Sequence, residues 1–302
     1  MIASHTEGKK LKRSTLLLLL SGFLMSPLAM AKDLGVVASF SVLGDMVNQI
    51  GGEHVHVTNL VGPNGDPHEF EPSPKDSKTL AKADLVFVSG LGLEGWLDRL
   101  IAASGYKGEV VTASTGVTPL TLVEDGKTAT DPHAWNSMAN GVIYARNILE
   151  ALIKADPENA QDYRQRGERY IQQLQQLDDS ARKTFAAIPQ DKRRVLTSHD
   201  AFGYFAAAYG VKFLAPLGYS TESEASSKGV AELITQIKQT HVKSYFIENQ
   251  TDPRLVKQIA NASGAEPGGE LYPEALTDAT GPAATYTAAF SHNVAAMAAS
   301  MR

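Results

Sequence analysis

The sequence predicts an α/β fold of two lobes, each with a mostly parallel sheet flanked by helices, joined by one long rigid helix. Short β-rich runs alternate with helical patterns twice along the chain, and one long amphipathic pattern separates the two series. The length of 302 residues agrees with this division, because about 100–200 residues make up one domain.

The first series predicts an N-terminal α/β lobe over residues 32–157. Its strands are expected at 35–40, 54–61, 85–89 and 109–112. Its helices are expected at 42–50, 75–83, 94–104 and 136–154. Strands that alternate with helices in this way are typical of a parallel sheet covered by helices.

A single connecting helix is predicted over residues 158–188. Pro157 and Pro189 flank it, as start and stop signals do. Its apolar side chains recur at intervals of three, four and seven, at Ala160, Tyr163, Tyr170, Ile171, Leu174, Leu177, Ala181 and Phe185. At 1.5 Å per residue such a helix is about 45 Å long, which predicts a stiff connector between the lobes.

The second series predicts a C-terminal α/β lobe over residues 189–302. Its strands are expected at 194–197, 211–214 and 244–248. Its helices are expected at 201–209, 228–240, 253–263 and 283–299. The repetition of the alternation indicates a second sheet with helices packed against it.

The N-terminus has the composition of a secretory signal peptide. A basic stretch with Lys9, Lys10, Lys12 and Arg13 precedes an apolar run at 16–25 and the small-residue site Ala29-Met30-Ala31. We therefore expect residues 1–31 to be cleaved and the protein to be periplasmic. The chain contains no cysteine, so we also expect no lipid anchor and no thiolate ligand. A net charge of −5 argues against a nucleic-acid partner.

Three histidines lie where an α/β protein binds ligands. His68 is in a loop after the second predicted strand, and His199 follows the first strand of the second lobe. His133 lies in Asp131-Pro132-His133, in a turn-rich stretch ahead of a helix. Ligands of open parallel sheets bind at the carboxyl ends of the strands, so the three side chains are candidates for one site between the lobes.

The motifs around these histidines resemble the metal-binding solute-binding proteins of ABC transporters, the ZnuA/TroA-like group. The resemblance covers nearly the whole chain after the signal peptide. Its most specific parts are GDPHEFEPSP at 65–74, DPHAW at 131–135, TSHDAFGYF at 197–205 and STESE at 220–224. It implies two α/β lobes joined by a long helix, and a bound metal ion as cargo.

The resemblance also implies four metal ligands in this chain. Matching motifs assign His68, His133 and His199. The fourth ligand is expected to be Asp278, in the stretch before Gly281-Pro282-Ala283, with Asp252 and Glu274 as other acids nearby. No residue is assigned a catalytic or cofactor-binding role.

Three imidazoles and one carboxylate favour Zn²⁺ as the cargo. They make a borderline-soft set that suits tetrahedral zinc, whereas Mg²⁺ and Ca²⁺ require oxygen ligands. Family members that resemble manganese carriers tend to have Glu where this chain has His199. Manganese and ferrous iron stay open, because residues 123–130 lack the His-rich loop of many zinc-selective relatives.

The predicted function is a periplasmic metal-binding component of an ABC importer, a monomer without catalytic activity. Its partners would be an inner-membrane permease and the cytoplasmic ATPase bound to that permease. The alternative from another class is a zinc metallohydrolase, which needs an open coordination position and a general base. No H-E-x-x-H motif is present, and Glu69, next to His68, is the candidate for a general base.

Overall fold

Two four-stranded parallel sheets form the framework of the protein, in a computed structural model that describes residues 1–4, 33–124, 127–222 and 224–302. The predicted signal peptide lies outside the described residues beyond position 4. The helices and strands below all belong to one compact unit, Lys32–Arg302. The predicted α/β class with parallel sheets is confirmed.

The first sheet has the strand order β2-β1-β3-β4, and every neighbouring pair is parallel. Its strands are β1 Leu34–Phe40, β2 Val55–Val61, β3 Leu85–Val88 and β4 Glu109–Thr112. Its connecting helices are α1 Ser41–Gly51, α2 Pro74–Leu80 and α3 Leu97–Ser104. Strands β1 and β3 are apolar and largely buried, as expected for central strands covered on both faces.

An antiparallel hairpin follows the first sheet, with strands β5 Thr121–Glu124 and β6 Lys127–Thr130. The sequence predicts a loop over residues 123–130 of this stretch. Helix α4 Met138–Ala155 comes next, and then the long helix α5 Ala160–Ala186 of 27 residues.

The second sheet has the strand order β10-β9-β7-β8, again with parallel pairs. Its strands are β7 Arg194–Leu196, β8 Lys212–Leu214, β9 Ser244–Glu248 and β10 Glu266–Leu271. Its helices are α6 Gly203–Tyr209, α7 Ser227–Thr240, α8 Arg254–Ser263 and α9 Tyr286–Ser300.

Both sheets follow the same winding order. Counted from its own first strand, each sheet runs second, first, third, fourth. The order reverses between the first and third strands, which are β1 and β3 in one sheet and β7 and β9 in the other. Ligands of such sheets bind outside the carboxyl ends of the strands at this reversal.

Helix α5 packs against elements that belong to both sheets. It contacts α1 and α4 from the first half of the chain and α6 and α9 from the second. Its buried side chains recur at helical spacing, at Tyr163, Tyr170, Leu174, Ala181 and Phe185. Gly167 permits the close approach to α4, because a Cβ there would lie 2.8 Å from a terminal methyl carbon of Leu149.

Two elements differ from their predicted form for local reasons. Strand β10 is not predicted, because Pro267, Gly268 and Gly269 are poor strand formers; they are tolerated at the edge of the sheet, where the register shifts between Pro267 and Gly269. Helix α3 begins three residues later than predicted. Residues 90–92 all have positive φ, and the turns that begin there extend through residue 96, so that the helix begins at Leu97.

The core is largely one cluster of apolar side chains. Phe40, Trp135, Phe185 and Phe205 are fully buried within it, so that it reaches from the first sheet to the second. A smaller cluster fills the space under α7 and α8. Within the described ranges, no helix combines the length and the apolar character that crossing a bilayer requires.

Candidate metal centre

Three histidine side chains and one glutamate side chain converge beyond the carboxyl ends of the strands. His68 lies between β2 and α2, and His133 directly precedes a short 3-10 turn at Ala134–Asn136. His199 follows the end of β7, and Glu274 follows the end of β10. The fold therefore brings together residues that are far apart in the sequence, two from each half of the chain.

The donor atoms of these four residues all lie within 4.8 Å of one another. The Nε2 atoms of His68 and His133 are 3.2 Å apart. Oε2 of Glu274 lies 3.2 Å from Nε2 of His68 and 3.4 Å from Nε2 of His133. Oε1 of Glu274 lies 3.6 Å from Nε2 of His199. This is a cluster that can hold one metal ion.

Two buried atoms of the cluster have no hydrogen-bond partner. They are Nε2 of His199 and Oε2 of Glu274. Both side chains are completely buried, and a polar atom left unpaired in such a place is costly. A cation between the imidazoles and the carboxylate would satisfy both atoms at once, so the donor set fits a metal ion.

His133 and His199 each contact a second carboxylate through the Nδ1 atom of the ring. Oδ1 of Asp131 lies 2.9 Å from Nδ1 of His133 and also accepts the backbone N–H of His133 at 3.0 Å. Oε2 of Glu248 accepts a short hydrogen bond from Nδ1 of His199. Because a carboxylate accepts a hydrogen bond, the Nδ1 atom that faces it carries the proton. Nε2 of each ring therefore presents its lone pair to the cluster.

Glu248 is held in turn by the backbone that it supports. Its Oε1 accepts the N–H groups of Ser198 at 3.0 Å and of His199 at 3.2 Å. Because Glu248 is the last residue of β9 and His199 follows β7, the reversal of strand order in the second sheet places acid and imidazole side by side. The orientation of His199 is therefore built into the sheet.

The segment that carries Glu274 is fixed from the first half of the chain. The carbonyl oxygen of Pro273 accepts the indole N–H of Trp135 at 2.8 Å and the side-chain amide of Asn136 at 3.1 Å. The N–H of Leu276 donates to Oγ of Ser41 at 3.0 Å. Glu274 is thus anchored on both sides along the chain.

Charge within the cluster shifts the pKa values of its members. Burial acts most strongly and by itself lowers the pKa of His133, but the carboxylates of Asp131 and Glu274 outweigh it and raise that pKa. For His199, burial is again outweighed by Glu248 and Glu274, and its pKa is well above the ordinary value. Burial would raise the pKa of Glu274, yet His68 and His199 hold it well below the usual range.

The structure brings together the three predicted histidines but not Asp278. Asp278 is exposed, and its Oδ1 accepts hydrogen bonds from the N–H and Oγ of Thr280. Asp252, the other acid considered, is also exposed and is paired with Arg254. The acid in the cluster is Glu274, which corrects the expectation for Asp278.

A signal for Glu274 exists in the sequence, but it depends on a strand that is hard to predict. Glu274 comes three residues after the end of β10, at the carboxyl edge of the second sheet, whereas Asp278 is seven residues beyond it. With β10 unrecognised, the position of that edge is lost. Asp131 lies within the DPHAW motif quoted for the family and Glu248 ends the predicted strand 244–248, but their support of His133 and His199 emerges from the geometry.

The chemical character of the site is that of a closed set of donors. His133, His199 and Glu274 are completely buried, while His68 borders a surface cavity of about 670 Å³ that Trp96 and Glu222 also line. Four protein donors complete a tetrahedral sphere without a position for water. Such a centre suits retention of an ion more than hydrolysis.

Comparison with known proteins identifies the family and corrects one expectation. Residues 36–300 match the family described as zinc-uptake complex component A, periplasmic. The manganese-binding lipoprotein MntA of Halalkalibacterium halodurans is 33% identical over 264 residues, 87% of each chain. MntA of Bacillus subtilis is 34% identical over 270 residues, 87% of this chain and 88% of that protein.

Both relatives are named lipoproteins, which contradicts the expectation of a protein without a lipid anchor. That expectation rests on the lack of cysteine in the sequence. A location outside the cytoplasm is supported, because the similar solved structure of TroA from Treponema pallidum is described as a periplasmic zinc-binding protein. It has a TM-score of 0.84 and 31% identity, and the match covers 89% of this chain and 99% of TroA. The chain therefore belongs to the ZnuA/TroA family of metal-binding ABC transporter substrate-binding proteins.

Proposed function

We propose that this substrate-binding protein carries one divalent transition-metal ion, with Zn²⁺ favoured, on His68, His133, His199 and Glu274. The observation that carries the proposal is the pair of buried, unpartnered donor atoms, Nε2 of His199 and Oε2 of Glu274. Both belong to a cluster whose donor atoms converge within 4.8 Å.

Zinc is favoured by the donor types and by the groups behind them. Three imidazole nitrogens and one carboxylate oxygen make a set typical of tetrahedral zinc. Asp131 and Glu248 form the carboxylate–histidine arrangement that orients zinc ligands and makes them more basic. The TroA structure is described as a zinc-binding protein and agrees with this preference.

Manganese is the second candidate, and two observations favour it. The MntA relatives are named manganese-binding proteins. In addition, both oxygens of Glu274 face the cluster, at 3.2 Å from Nε2 of His68 and 3.6 Å from Nε2 of His199. A carboxylate that binds through both oxygens raises the coordination number above four, which manganese accepts more readily than structural zinc does.

Carriage is favoured over hydrolysis by the closed donor set and by the family, whose members are substrate-binding proteins. Substrate-binding proteins of ABC importers work with a permease and an ATPase. We therefore propose delivery of the ion to an inner-membrane permease by a monomeric carrier. Residues 32–157 and 189–302 would be its lobes and 158–188 the connecting helix.

Metal titration of the chelator-treated protein tests the proposal. We expect one Zn²⁺ per chain and a smaller dissociation constant for Zn²⁺ than for Mn²⁺, each measured by competition with a chromogenic chelator. Tighter binding of Mn²⁺ would reverse the proposed preference, and failure to bind either ion at one per chain would refute the site. Elemental analysis of protein isolated from its native host identifies the ion carried in the cell.

A further inference from the structure

Gln250 joins the two buried acids of the second half of the chain. It lies in the turn directly after β9 and is half-buried. Its Nε2 donates to Oε1 of Glu274 at 2.9 Å and lies 3.5 Å from Oε2 of Glu248. The same amide group therefore touches the carboxylate of the cluster and the carboxylate that orients His199.

The orientation of the Gln250 amide follows from its neighbours. Both Glu248 and Glu274 present acceptor oxygens, so the NH₂ group, and not the carbonyl oxygen, must face them. Its hydrogen bond distinguishes the two oxygens of Glu274. Oε1 is engaged by Gln250, whereas Oε2 is unpartnered and points at the Nε2 atoms of His68 and His133.

The difference between the two oxygens bears on the choice of metal. A carboxylate that offers one oxygen to three imidazoles completes a four-coordinate sphere, which zinc prefers. A carboxylate that offers both oxygens adds a fifth ligand, which suits manganese better. Oε1 lies 3.6 Å from Nε2 of His199, so it is within reach of the same ion once its hydrogen bond is removed.

We propose that Gln250 is a specificity-determining residue that holds Glu274 as a one-oxygen ligand and thereby favours four-coordinate zinc over manganese. The inference rests on the proposed metal-binding function of the cluster and adds to it the origin of selectivity. Gln250 does not bind the ion; it acts through the carboxylate that does.

The variant Gln250→Met tests this role, because methionine keeps the length of the side chain and lacks the amide donor. Gln258→Met is the matched control. Gln258 is exposed on α8 and lines the same cavity of about 480 Å³ as Gln250. Both proteins are compared with the unmodified chain for circular dichroism, thermal unfolding, affinities for Zn²⁺ and Mn²⁺, and the visible absorption of the Co²⁺ form.

We expect Gln250→Met to weaken zinc binding by about tenfold, the usual size for groups that orient a ligand, with manganese binding unchanged or tighter. The Co²⁺ absorption should weaken, as it does when coordination rises above four. Gln258→Met should change none of these. An unchanged ratio of zinc affinity to manganese affinity in Gln250→Met would overturn the inference. This includes a proportional loss of both affinities with an unchanged Co²⁺ spectrum. A failure of the proposed function itself would appear separately, as absence of stoichiometric binding by the unmodified chain.

Discussion

The indole N–H of Trp96 donates a hydrogen bond to the carbonyl oxygen of Pro67 across 2.9 Å. Pro67 directly precedes His68, so a buried side chain from the turn before α3 fixes the backbone that carries this histidine. The ring of Phe70 packs edge-on against Trp96, with centroids 4.7 Å apart. His68 is thus flanked on both sides by contacts to one tryptophan.

Loss of that hydrogen bond should loosen His68 while the protein stays folded. In Trp96→Phe the ring contact with Phe70 is largely kept, but the carbonyl oxygen of Pro67 loses its donor. We expect the free energy of unfolding to fall by about 1 kcal/mol. We also expect metal to dissociate several-fold faster, as measured by stopped-flow transfer to a chelator.

Tyr106→Phe is the control for this prediction. It removes a comparable hydrogen bond from a buried aromatic side chain to a backbone carbonyl, that of Glu109 at 2.9 Å, in a loop that carries no member of the cluster. A similar loss of stability with unchanged metal dissociation is expected there. Equal dissociation rates in both variants would show that Trp96 has no special influence on His68.

Loss of charge should lower the zinc affinity strongly at Glu274 and hardly at all at Asp278. Glu274→Gln replaces the one charged donor of the cluster with a neutral amide, so we expect zinc affinity to fall by about 100-fold or more. Asp278→Asn removes an exposed charge and keeps an acceptor for Thr280, so affinity should stay within about twofold. Isothermal titration calorimetry of both variants measures this. The reverse ranking would restore Asp278 as the ligand.

The raised pKa values of His133 and His199 predict how metal binding depends on pH. Imidazole binds metal only when it is neutral, so protons compete from above the ordinary histidine pKa of about 6.5. Zinc uptake near neutral pH should therefore release protons. Calorimetry in buffers of different ionisation enthalpy counts them, and a count near zero at about pH 7 would contradict the raised values.

The same shifts predict the stability of the metal-free protein. A raised histidine pKa contributes stability that is complete below about pH 6.5 and is lost as pH rises through the folded-state value. The lowered pKa of Glu274 contributes stability that is present above about pH 4.5 and is lost on acidification. We expect the metal-free melting temperature to be highest between these limits. The increase caused by zinc should grow as pH rises from about 6 to 8.

Gly203 limits the space available to Asp131. A Cβ at Gly203 would lie 2.3 Å from Oδ2 of Asp131, so Gly203→Ala must displace the carboxylate that orients His133. We expect Gly203→Ala to lower the melting temperature. Helix propensity alone would raise it, because alanine stabilises the start of α6 relative to glycine. We expect about tenfold weaker zinc binding.

Gly62→Ala serves as the comparison for Gly203→Ala, because no atom lies within 4 Å of a Cβ at Gly62. Calorimetry and thermal unfolding of both proteins separate the effect of the new methyl group from that of its collision. Unaltered zinc affinity in Gly203→Ala would mean that Asp131 moves without consequence for His133.

Elements with strong apolar patterns could be predicted from sequence, and those that depend on tertiary context could not. The central strands β1 and β3 are apolar, largely buried runs, β7 and β9 have buried apolar residues at their centres, and α5 has clear helical spacing. Strand β10 forms only because the exposed edge of β9 pairs with it despite its proline and glycines. The sequence of residues 266–271 has no apolar pattern that would predict a strand.

Prediction of the site from the sequence is limited in the same way. The three histidines lie in distinctive local motifs, so their residue types and contexts identify them. The fourth donor is defined by its position relative to β10 and by the anchoring of Pro273 to Trp135, a contact between residues 138 positions apart. No local pattern separates Glu274 from Asp278, because both are acids in a turn-rich segment.

Helix α5 has a consequence for what the permease can recognise. Moving the two halves of the chain apart would separate α5 from one of them and expose side chains such as Phe185, which packs against Phe205 and Tyr209, and each such side chain costs about 1.5–3 kcal/mol to expose. Metal-loaded and metal-free forms should therefore have nearly the same outline, with closely similar radii of gyration in solution scattering. A transporter that distinguishes them must then sense the positions of a few ligand-bearing loops, chiefly the one that carries His68 beside the surface cavity.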